Sequence, residues 1–240
     1  MLSLLEHARS VASTNDEVAR WVREGCVDGR ALWVDEQTDG RGRRGRTWES
    51  QPGENLALSI AIAGVHYRPV MLLLPLAAAV GTASAIERVA KVEVGMKWPN
   101  DLMVDRRKLA GILCEAVLDG ARFEGAVVGI GVNVNTPALA LPPELQAIAT
   151  SLIDLCQIRT DIEELAGAVR HDVCEAARAL AAGDTDAVLT RWRARDATLG
   201  RRVVGDGFVG VAAGIGDDGS LLVECTNGVR AVRSGEIRFV

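Results

Sequence analysis

The spacing of apolar residues along the chain predicts a mixture of β-strands and helices. Apolar runs bounded by turn residues predict strands at five places, namely 32–34, 56–62, 92–96, 109–115 and 127–135. The last of these strands contains glycines and ends in asparagines. Glycine within a strand often marks the close approach of a ligand or of another backbone segment. We therefore expect such an approach on this strand.

Apolar residues at helical spacing predict three helical stretches. The first follows Thr14, and Glu17 three residues later completes a capping box at its start. The second is a long apolar helix from about Pro69 to Val89, which is better explained as a buried core helix than as a membrane span. The third covers about 161–195, with a break near Gly183.

Beyond Gly200 the pattern changes to short strands separated by turns. Asn227 and Gly228 predict a tight hairpin between two of these strands. A run of about forty such residues is typical of a compact barrel or sandwich. We therefore divide the chain into a domain of residues 1–198 and a small β domain of residues 199–240.

A loop rich in arginine and glycine lies between the first two predicted strands. Residues 40–48 read Gly-Arg-Gly-Arg-Arg-Gly-Arg-Thr-Trp, and four guanidinium groups so close together repel one another in water. Because glycine lets backbone N–H groups approach a ligand, the loop suits a polyphosphate that supplies the missing negative charge. We expect the loop to be mobile until such an anion relieves the repulsion. The alternative is a solvated basic patch that contacts nucleic acid or no partner at all.

The glycines of this loop also spell a dinucleotide-binding fingerprint, G-x-G-x-x-G, at Gly40, Gly42 and Gly45. In that fold a helix must begin at the loop so that its N-terminus faces the pyrophosphate. Here a turn at 51–55 leads into the strand predicted at 56–62. The sequence context therefore excludes a Rossmann site.

Charge and cysteine content narrow the range of partners. The 240 residues carry a net charge of −5, which disfavours general nucleic-acid binding because that binding depends on phosphate neutralisation. The five cysteines form no C-x-x-C pair, so we predict neither a metal cage nor a disulfide framework. We expect a cytoplasmic protein that does not bind membranes or nucleic acid.

Lysine is rare in this chain, which has 24 arginines and three lysines. Lys97 and Lys108 lie in the stretches 97–102 and 107–113, which are candidate site motifs, whereas Lys91 lies outside both stretches. An ammonium is a compact point charge and a guanidinium is a wide planar fork. A lysine kept in these stretches therefore indicates a site where the fork would not fit.

Five stretches, taken in order, resemble the signature of biotin protein ligases: Ser13-Thr14-Asn15, Gln37 with 40–48, 97–102, 107–113 and 129–133. The resemblance implies an α+β fold. A mixed-sheet catalytic domain like that of class II aminoacyl-tRNA synthetases and lipoate ligases would be followed by a small SH3-like β-barrel. Only twelve residues precede Ser13, so we expect no winged-helix DNA-binding domain and no repressor role.

The resemblance also implies a two-step reaction. The biotin carboxylate attacks the α-phosphate of ATP to give biotinyl-adenylate and pyrophosphate. A lysine of a biotin carboxyl carrier domain then displaces AMP. Neither step needs a protein nucleophile, and the first needs charge neutralisation and alignment. ATP with its Mg²⁺ counter-ion and biotin would be substrates, with no metal site built by the protein.

The resemblance assigns roles to individual residues. Biotin would contact Ser13, Thr14, Asn15, Gln37, Gly40, Arg41, Arg43, Lys108 and Gly111. ATP or the adenylate would contact Arg41, Arg43, Arg46, Trp48, Lys97, Asn100, Lys108 and Asn133. Catalysis would use Lys108 and Arg43, and Asp101 would orient or deprotonate the incoming lysine, unless it is only a turn residue.

Two other functions stay open. A lipoate protein ligase shares the fold and the chemistry, although the Gly-Arg-Gly-Arg loop and the stretch at 97–102 favour biotin. A nucleic-acid-binding module could use the arginine loop, although the acidic charge disfavours it. The expected acceptor is the carrier domain of a carboxylase, and a homodimer formed through an exposed sheet edge also stays open.

Overall fold

The computed structural model describes residues 4–240 and has an α+β fold built on two β-sheets. The first three residues of the predicted 1–198 domain lie outside the described part. The larger sheet has seven strands in the order β1-β2-β3-β7-β6-β5-β4. Its strands are β1 Leu5–Val11, β2 Ala31–Gln37, β3 Leu56–Ala63, β4 Gly95–Lys97, β5 Asp101–Val104, β6 Arg107–Asp119 and β7 Arg122–Val132. The sheet is mixed because β1 pairs parallel with β2, whereas the other neighbours are antiparallel.

Helices cover both faces of this sheet. They are α1 Thr14–Arg23, α2 Leu74–Ala90, α3 Pro143–Gln146, α4 Leu152–Cys156, α5 Ile162–Ala181 and α6 Thr185–Arg193. Successive side chains of β3 lie on opposite faces of the sheet. Leu58 and Ile60 pack in the core that contains α2 and α5, whereas Ala57 and Ala61 pack in the core that contains α1. The cavity described below lies on the α1 face.

Helix α2 is the buried core helix that the sequence predicts. It crosses α5 closely at Gly81, where a Cβ atom would lie 2.7 Å from Cα of Val173. Only glycine permits that approach. Among the described residues, no helix is both long and apolar enough to cross a membrane.

The smaller sheet is antiparallel and has five strands, β8 Arg202–Gly205, β9 Phe208–Ile215, β10 Leu221–Cys225, β11 Gly228–Val232 and β12 Ile237–Phe239. Their order is β11-β10-β9-β8-β12, which confirms the small β unit expected after Gly200. Its apolar residues, such as Val203 and Leu221, join the main core. The Trp98 indole Nε1 also donates to the carbonyl of Gly219 at 3.1 Å. The exact boundary at residue 198 and the likeness to an SH3 barrel stay predictions.

Several boundaries differ from the expected ones. Strand β1 was not expected at all, and the strand placed at 92–96 is confined to Gly95–Lys97. Helix α2 starts at Leu74 because residues 65–70, which include Pro69, form a 3-10 turn. Strand β7 ends at Val132, before the asparagines, whose side chains bond to neighbouring loops.

The predicted capping box is wrong. Ser13 is the N-cap residue of α1 without a side-chain cap bond, and Thr14 is the first helical residue. The Thr14 hydroxyl donates instead to Oε1 of Gln37, while the Glu17 carboxylate accepts from Arg20. The start of α1 packs against the end of β2. The Thr14 hydroxyl therefore bonds to Gln37 and does not cap the helix.

Candidate functional site

A cavity of about 310 Å³ opens beside the N-terminus of α1. Fourteen of the fifteen residues that the sequence assigns to the site line it: Ser13, Thr14, Asn15, Gln37, Arg41, Arg43, Arg46, Trp48, Lys97, Asn100, Asp101, Lys108, Gly111 and Asn133. Gly40 does not line it. This buried glycine supports the loop by accepting a backbone hydrogen bond from Trp48 at 2.9 Å.

One end of the cavity is a network of neutral polar groups and one carboxylate. The amide and hydroxyl of Thr14 both donate to Oε1 of Gln37 at 2.9 Å. Ser59 Oγ lies 2.7 Å from the Thr14 hydroxyl and 2.6 Å from Oδ1 of Asn15. Asn15 in turn donates to Glu115 at 2.5 Å. These bonds fix the side chains before a ligand arrives, so the cavity end is organised for a small polar group.

Ser59 and Glu115 do not line the cavity but bond to Thr14 and Asn15, which do, and sequence reasoning missed both of these supporting residues. Ser59 lies inside an otherwise apolar strand and is fully buried. A hydroxyl at that position could have indicated its role, because a buried polar group is normally hydrogen-bonded to another polar group. Glu115 follows the recognised stretch at 107–113 by two residues.

We expect Ser59→Ala to weaken biotin binding without affecting ATP. The change leaves Thr14 and Asn15 without a shared partner, so the free energy of unfolding should fall by about 1–2 kcal/mol. The KM for biotin should rise severalfold while the KM for ATP stays constant. Ser84→Ala, which removes a hydroxyl that bonds to Val80 and Arg191 outside the cavity, is the control. Equal KM values for biotin in the two variants would contradict the role of Ser59.

The arginine loop is neutralised mainly by carboxylates of the protein. Arg41 pairs with Asp16 at 2.6 Å, Arg44 pairs with Asp206 at 2.7 Å, and Arg46 pairs with Glu236. The expectation that only an external anion can relieve the repulsion is therefore wrong. These carboxylates come from α1 and from turns of the smaller sheet, far from the loop in sequence.

Arg43 differs from the other arginines of the loop. Within residues 4–240 it is the loop arginine that has no carboxylate at ion-pair distance. Its guanidinium donates to Oδ1 of Asn100 at 3.0 Å and to the carbonyl of Gly235 at 3.2 Å. Burial lowers the pKa of Arg43, and the neighbouring Arg44 and Arg46 lower it further against the opposing effect of Asp101. The group stays charged at neutral pH, so it presents to the cavity a positive charge without a carboxylate at ion-pair distance.

Two lysines add to this positive charge. Lys108 Nζ lies 2.6 Å from Oδ1 of Asp101 and 5.6 Å from the centroid of the Trp48 ring. Lys97 is opposite Asp101 in the β4–β5 pair, and burial lowers its pKa, as do the charges of Lys108 and Arg46. With Arg43, three cations thus surround one carboxylate. This part of the cavity favours an anion.

Glycines form the floor beneath the site side chains. A Cβ atom at Gly129 would overlap the carboxamide of Asn15, and one at Gly131 would overlap the indole of Trp48. At Gly111 it would lie 2.9 Å from Nζ of Lys108. The close approach expected on this strand is therefore made by site side chains. The buried Nε1 of Trp48 has no hydrogen-bond partner among the described residues.

Asn100 and Asn133 hold the backbone around the cavity. The Asn100 amide donates to the carbonyl of Ile112 at 2.7 Å, and the Asn133 amide donates to that of Thr150 at 3.0 Å. Both donors are therefore already used within the protein. The oxygen of Asn100 also accepts from Arg43 at 3.0 Å. The ligand contacts predicted for Asn100 and Asn133 stay predictions.

Two further parts of the cavity wall were not predicted. An apolar side is formed in and around α3 by Leu141, Leu145, Ile148 and Ala149. The smaller sheet closes the cavity with Glu236, Ile237 and Arg238. The backbone amide of Lys108 donates to the carbonyl of Ile148 at 2.7 Å. The segment at 141–149 therefore supports the position of Lys108. Among residues 4–240, no group of three or more histidine, cysteine or carboxylate side chains is arranged to hold a metal ion.

Comparisons with known proteins agree with this geometry. Residues 8–133 match the model of the biotin/lipoate A/B protein ligase family. The bifunctional ligase/repressor BirA of Bacillus spizizenii is 32% identical over 95% of this chain and 72% of its own length. The biotin–[acetyl-CoA-carboxylase] ligase of Mycobacterium tuberculosis is 32% identical over 97% of this chain and 88% of its own.

Among solved structures, a biotin protein ligase from Aquifex aeolicus in complex with biotin and ATP superposes with a TM-score of 0.86 at 28% identity. The match covers 98% of each chain. The cavity, the matched residues 8–133 and the similarity over nearly the full length together place the chain in the biotin/lipoate A/B protein ligase family.

Proposed function

We propose that this protein is a biotin–[acetyl-CoA-carboxylase] ligase, which activates biotin with ATP and transfers it to a lysine of a carrier domain. One observation carries the proposal. A single cavity joins the preorganised polar network of Thr14, Gln37 and Asn15 to the cationic group of Arg43 and Lys108. The first end suits the polar ring of biotin, and the second suits the phosphates and carboxylate that must meet.

In the first step a biotin carboxylate oxygen attacks the α-phosphorus of ATP, and pyrophosphate leaves. Both reactants are anions, so the reaction requires positive charge between them. Lys108 and Arg43 supply this charge, and the guanidinium of Arg43 bonds to neutral groups, Asn100 and the carbonyl of Gly235. Their stabilisation of the developing charge on phosphorus is the main catalytic contribution.

ATP would enter with Mg²⁺ bound to its phosphates. The cavity offers the Asp101 carboxylate and the Asn100 carboxamide as oxygen donors. This small donor set fits a cation that is held mainly by substrate phosphates and water. When bound, Mg²⁺ would reduce the negative charge of the pyrophosphate leaving group.

In the second step the amine of the acceptor lysine attacks the carbonyl carbon of biotinyl-adenylate, and AMP leaves. A lysine amine has an unperturbed pKa of about 10.4 and must lose a proton to react. Asp101, which lies beside Lys108 in the cavity, is the carboxylate that we assign to accept this proton or orient the amine. Its 2.6 Å contact with Lys108 holds it in place until the acceptor arrives.

Pyrophosphate release tests this function without knowledge of the acceptor. The purified protein is incubated with ATP and Mg²⁺ and with biotin, lipoate or no acid. We expect release that depends on biotin. Release with lipoate alone would favour a lipoate ligase. Silence with every acid, together with salt-sensitive RNA or DNA binding, would favour the nucleic-acid-binding alternative.

The remaining partner assignments belong to the same proposal. The acceptor would be the biotin carboxyl carrier domain of a carboxylase in the cytoplasm. Nucleic-acid binding through the loop is disfavoured because Arg41, Arg44 and Arg46 already pair with carboxylates. A homodimer through an edge strand of the larger sheet stays open, and size-exclusion chromatography with light scattering would test it.

A further inference from the structure

We propose that Arg44 and Asp206 form a positioning pair that holds the arginine loop closed over the acyl-adenylate. The proposal rests on the proposed function and extends it to two residues outside the cavity. Arg44 is the arginine of the loop that does not line the cavity. Asp206 lies in the turn between β8 and β9 of the smaller sheet.

The backbone of the loop directs Arg44 away from the cavity. Arg44 has φ 56° and ψ 37°, a left-handed conformation that residues with a side chain rarely adopt. This turn points Arg43 and Arg44 in different directions: Arg43 contacts Asn100 at the cavity, and Arg44 reaches Asp206. A disfavoured backbone conformation persists where surrounding contacts determine it. The Arg44–Asp206 bond is such a contact.

Other contacts join the loop to the same sheet. Arg43 donates to the carbonyl of Gly235, and Arg46 pairs with Glu236, both in the turn between β11 and β12. Two turns of the smaller sheet therefore contact the loop. Arg43 and Arg46 also face the cavity, so their replacement would change catalysis directly. Substitution of Arg44 or Asp206 weakens these contacts without removing a group that lines the cavity.

The expected effect is moderate and confined to the loop. Arg44 and Asp206 are 50% and 75% exposed, and exposed ion pairs contribute little to overall stability. The whole free energy of this ion pair nevertheless favours the closed loop over the open loop, because the pair is broken when the loop opens. Breaking the pair should therefore raise escape of the adenylate by about three- to fivefold, with little change in the unfolding temperature.

The test compares Asp206→Asn with Asp217→Asn in the full chain. Asp217 pairs with Arg193 at 2.7 Å and is also a turn residue of the smaller sheet, so its replacement breaks a matched ion pair away from the loop. Three quantities are measured: the burst of pyrophosphate with biotin and ATP, the steady release after the burst without acceptor, and biotin on the lysines of added serum albumin. Trypsin cleavage within 41–46 in the absence of ligands gives a fourth readout, independent of activity.

We expect Asp206→Asn to keep the burst and to raise steady release, albumin labelling and loop cleavage, whereas Asp217→Asn resembles the unmodified protein. The double variant Arg44→Asp with Asp206→Arg restores the pair with reversed charges, and aspartate tolerates the left-handed conformation. This variant should lower steady release and albumin labelling again.

Unchanged escape and unchanged loop cleavage in Asp206→Asn, with a normal burst, would overturn the positioning pair alone. Absence of a biotin-dependent burst in the unmodified protein would overturn the proposed function and adenylate retention with it. In that case the cleavage comparison would still decide whether the pair holds the loop.

Discussion

Replacing Lys108 with alanine is expected to lower the rate of biotin-dependent pyrophosphate release by about two to three orders of magnitude. Lys108 lies between the Asp101 carboxylate and the Trp48 ring, and backbone bonds to the 148–150 segment fix its position. Its ammonium therefore needs little rearrangement to stabilise charge on the phosphate. Single-turnover measurement of pyrophosphate release reports this step directly.

Two further variants show whether the effect belongs to this ammonium. Lys91→Asn removes an exposed lysine charge at the end of α2 and suits the left-handed backbone there, where φ is 58°. Its rate should be normal. Lys108→Arg keeps the charge but brings a wider group against Gly111, where space is limited, and should recover only a small part of the rate. A near-normal rate for Lys108→Ala would remove Lys108 from the mechanism.

Alanine at the two glycines of β7 should damage opposite ends of the site. Gly131→Ala displaces Trp48, so the KM for ATP should rise by about ten- to a hundredfold while biotin binding changes little. Gly129→Ala displaces Asn15, so the reciprocal result is expected, with the loss in biotin binding. Titration of each substrate in steady-state assays separates the two effects.

Gly167→Ala is the matched control for these changes. Gly167 lies in α5 with open space around its Cα atom, and alanine in a helix is favoured over glycine by about 1 kcal/mol. The control should raise the unfolding temperature and leave both KM values unchanged. Parallel loss of both substrates in Gly129→Ala and Gly131→Ala would indicate general damage to the sheet and would contradict the division of the cavity.

Local patterns predicted most of the fold. The alternation in β3, the apolar spacing of α2 and α5 and the turn at Asn227 each depend on neighbours in sequence, and the structure has each element. Strand β1 was missed because it lies at the edge of the sheet and none of its residues is fully buried. Polar residues occur on both of its faces, so it gives no clear alternation to detect.

The candidate site was predicted where the signal was chemical and missed where it was spatial. The arginine loop was found because its arginines and glycines are clustered, and Lys97 and Lys108 were found because lysine is rare in this chain. Asp206 and Glu236 read as ordinary turn residues, since nothing in their local sequence indicates a partner in the loop. The same limit explains the wrong capping box, because Thr14 bonds to Gln37, which lies 23 residues away.

The contacts between the loop and the smaller sheet also set an order of events during synthesis. Arg43 and Gly235 are 192 residues apart, which corresponds to roughly ten to forty seconds of translation. Throughout that interval the emerging loop carries guanidinium groups whose partners in the smaller sheet have not yet been made. The nascent chain would therefore carry Arg43, Arg44 and Arg46 without these partners until the smaller sheet had folded, with β12 paired to β8.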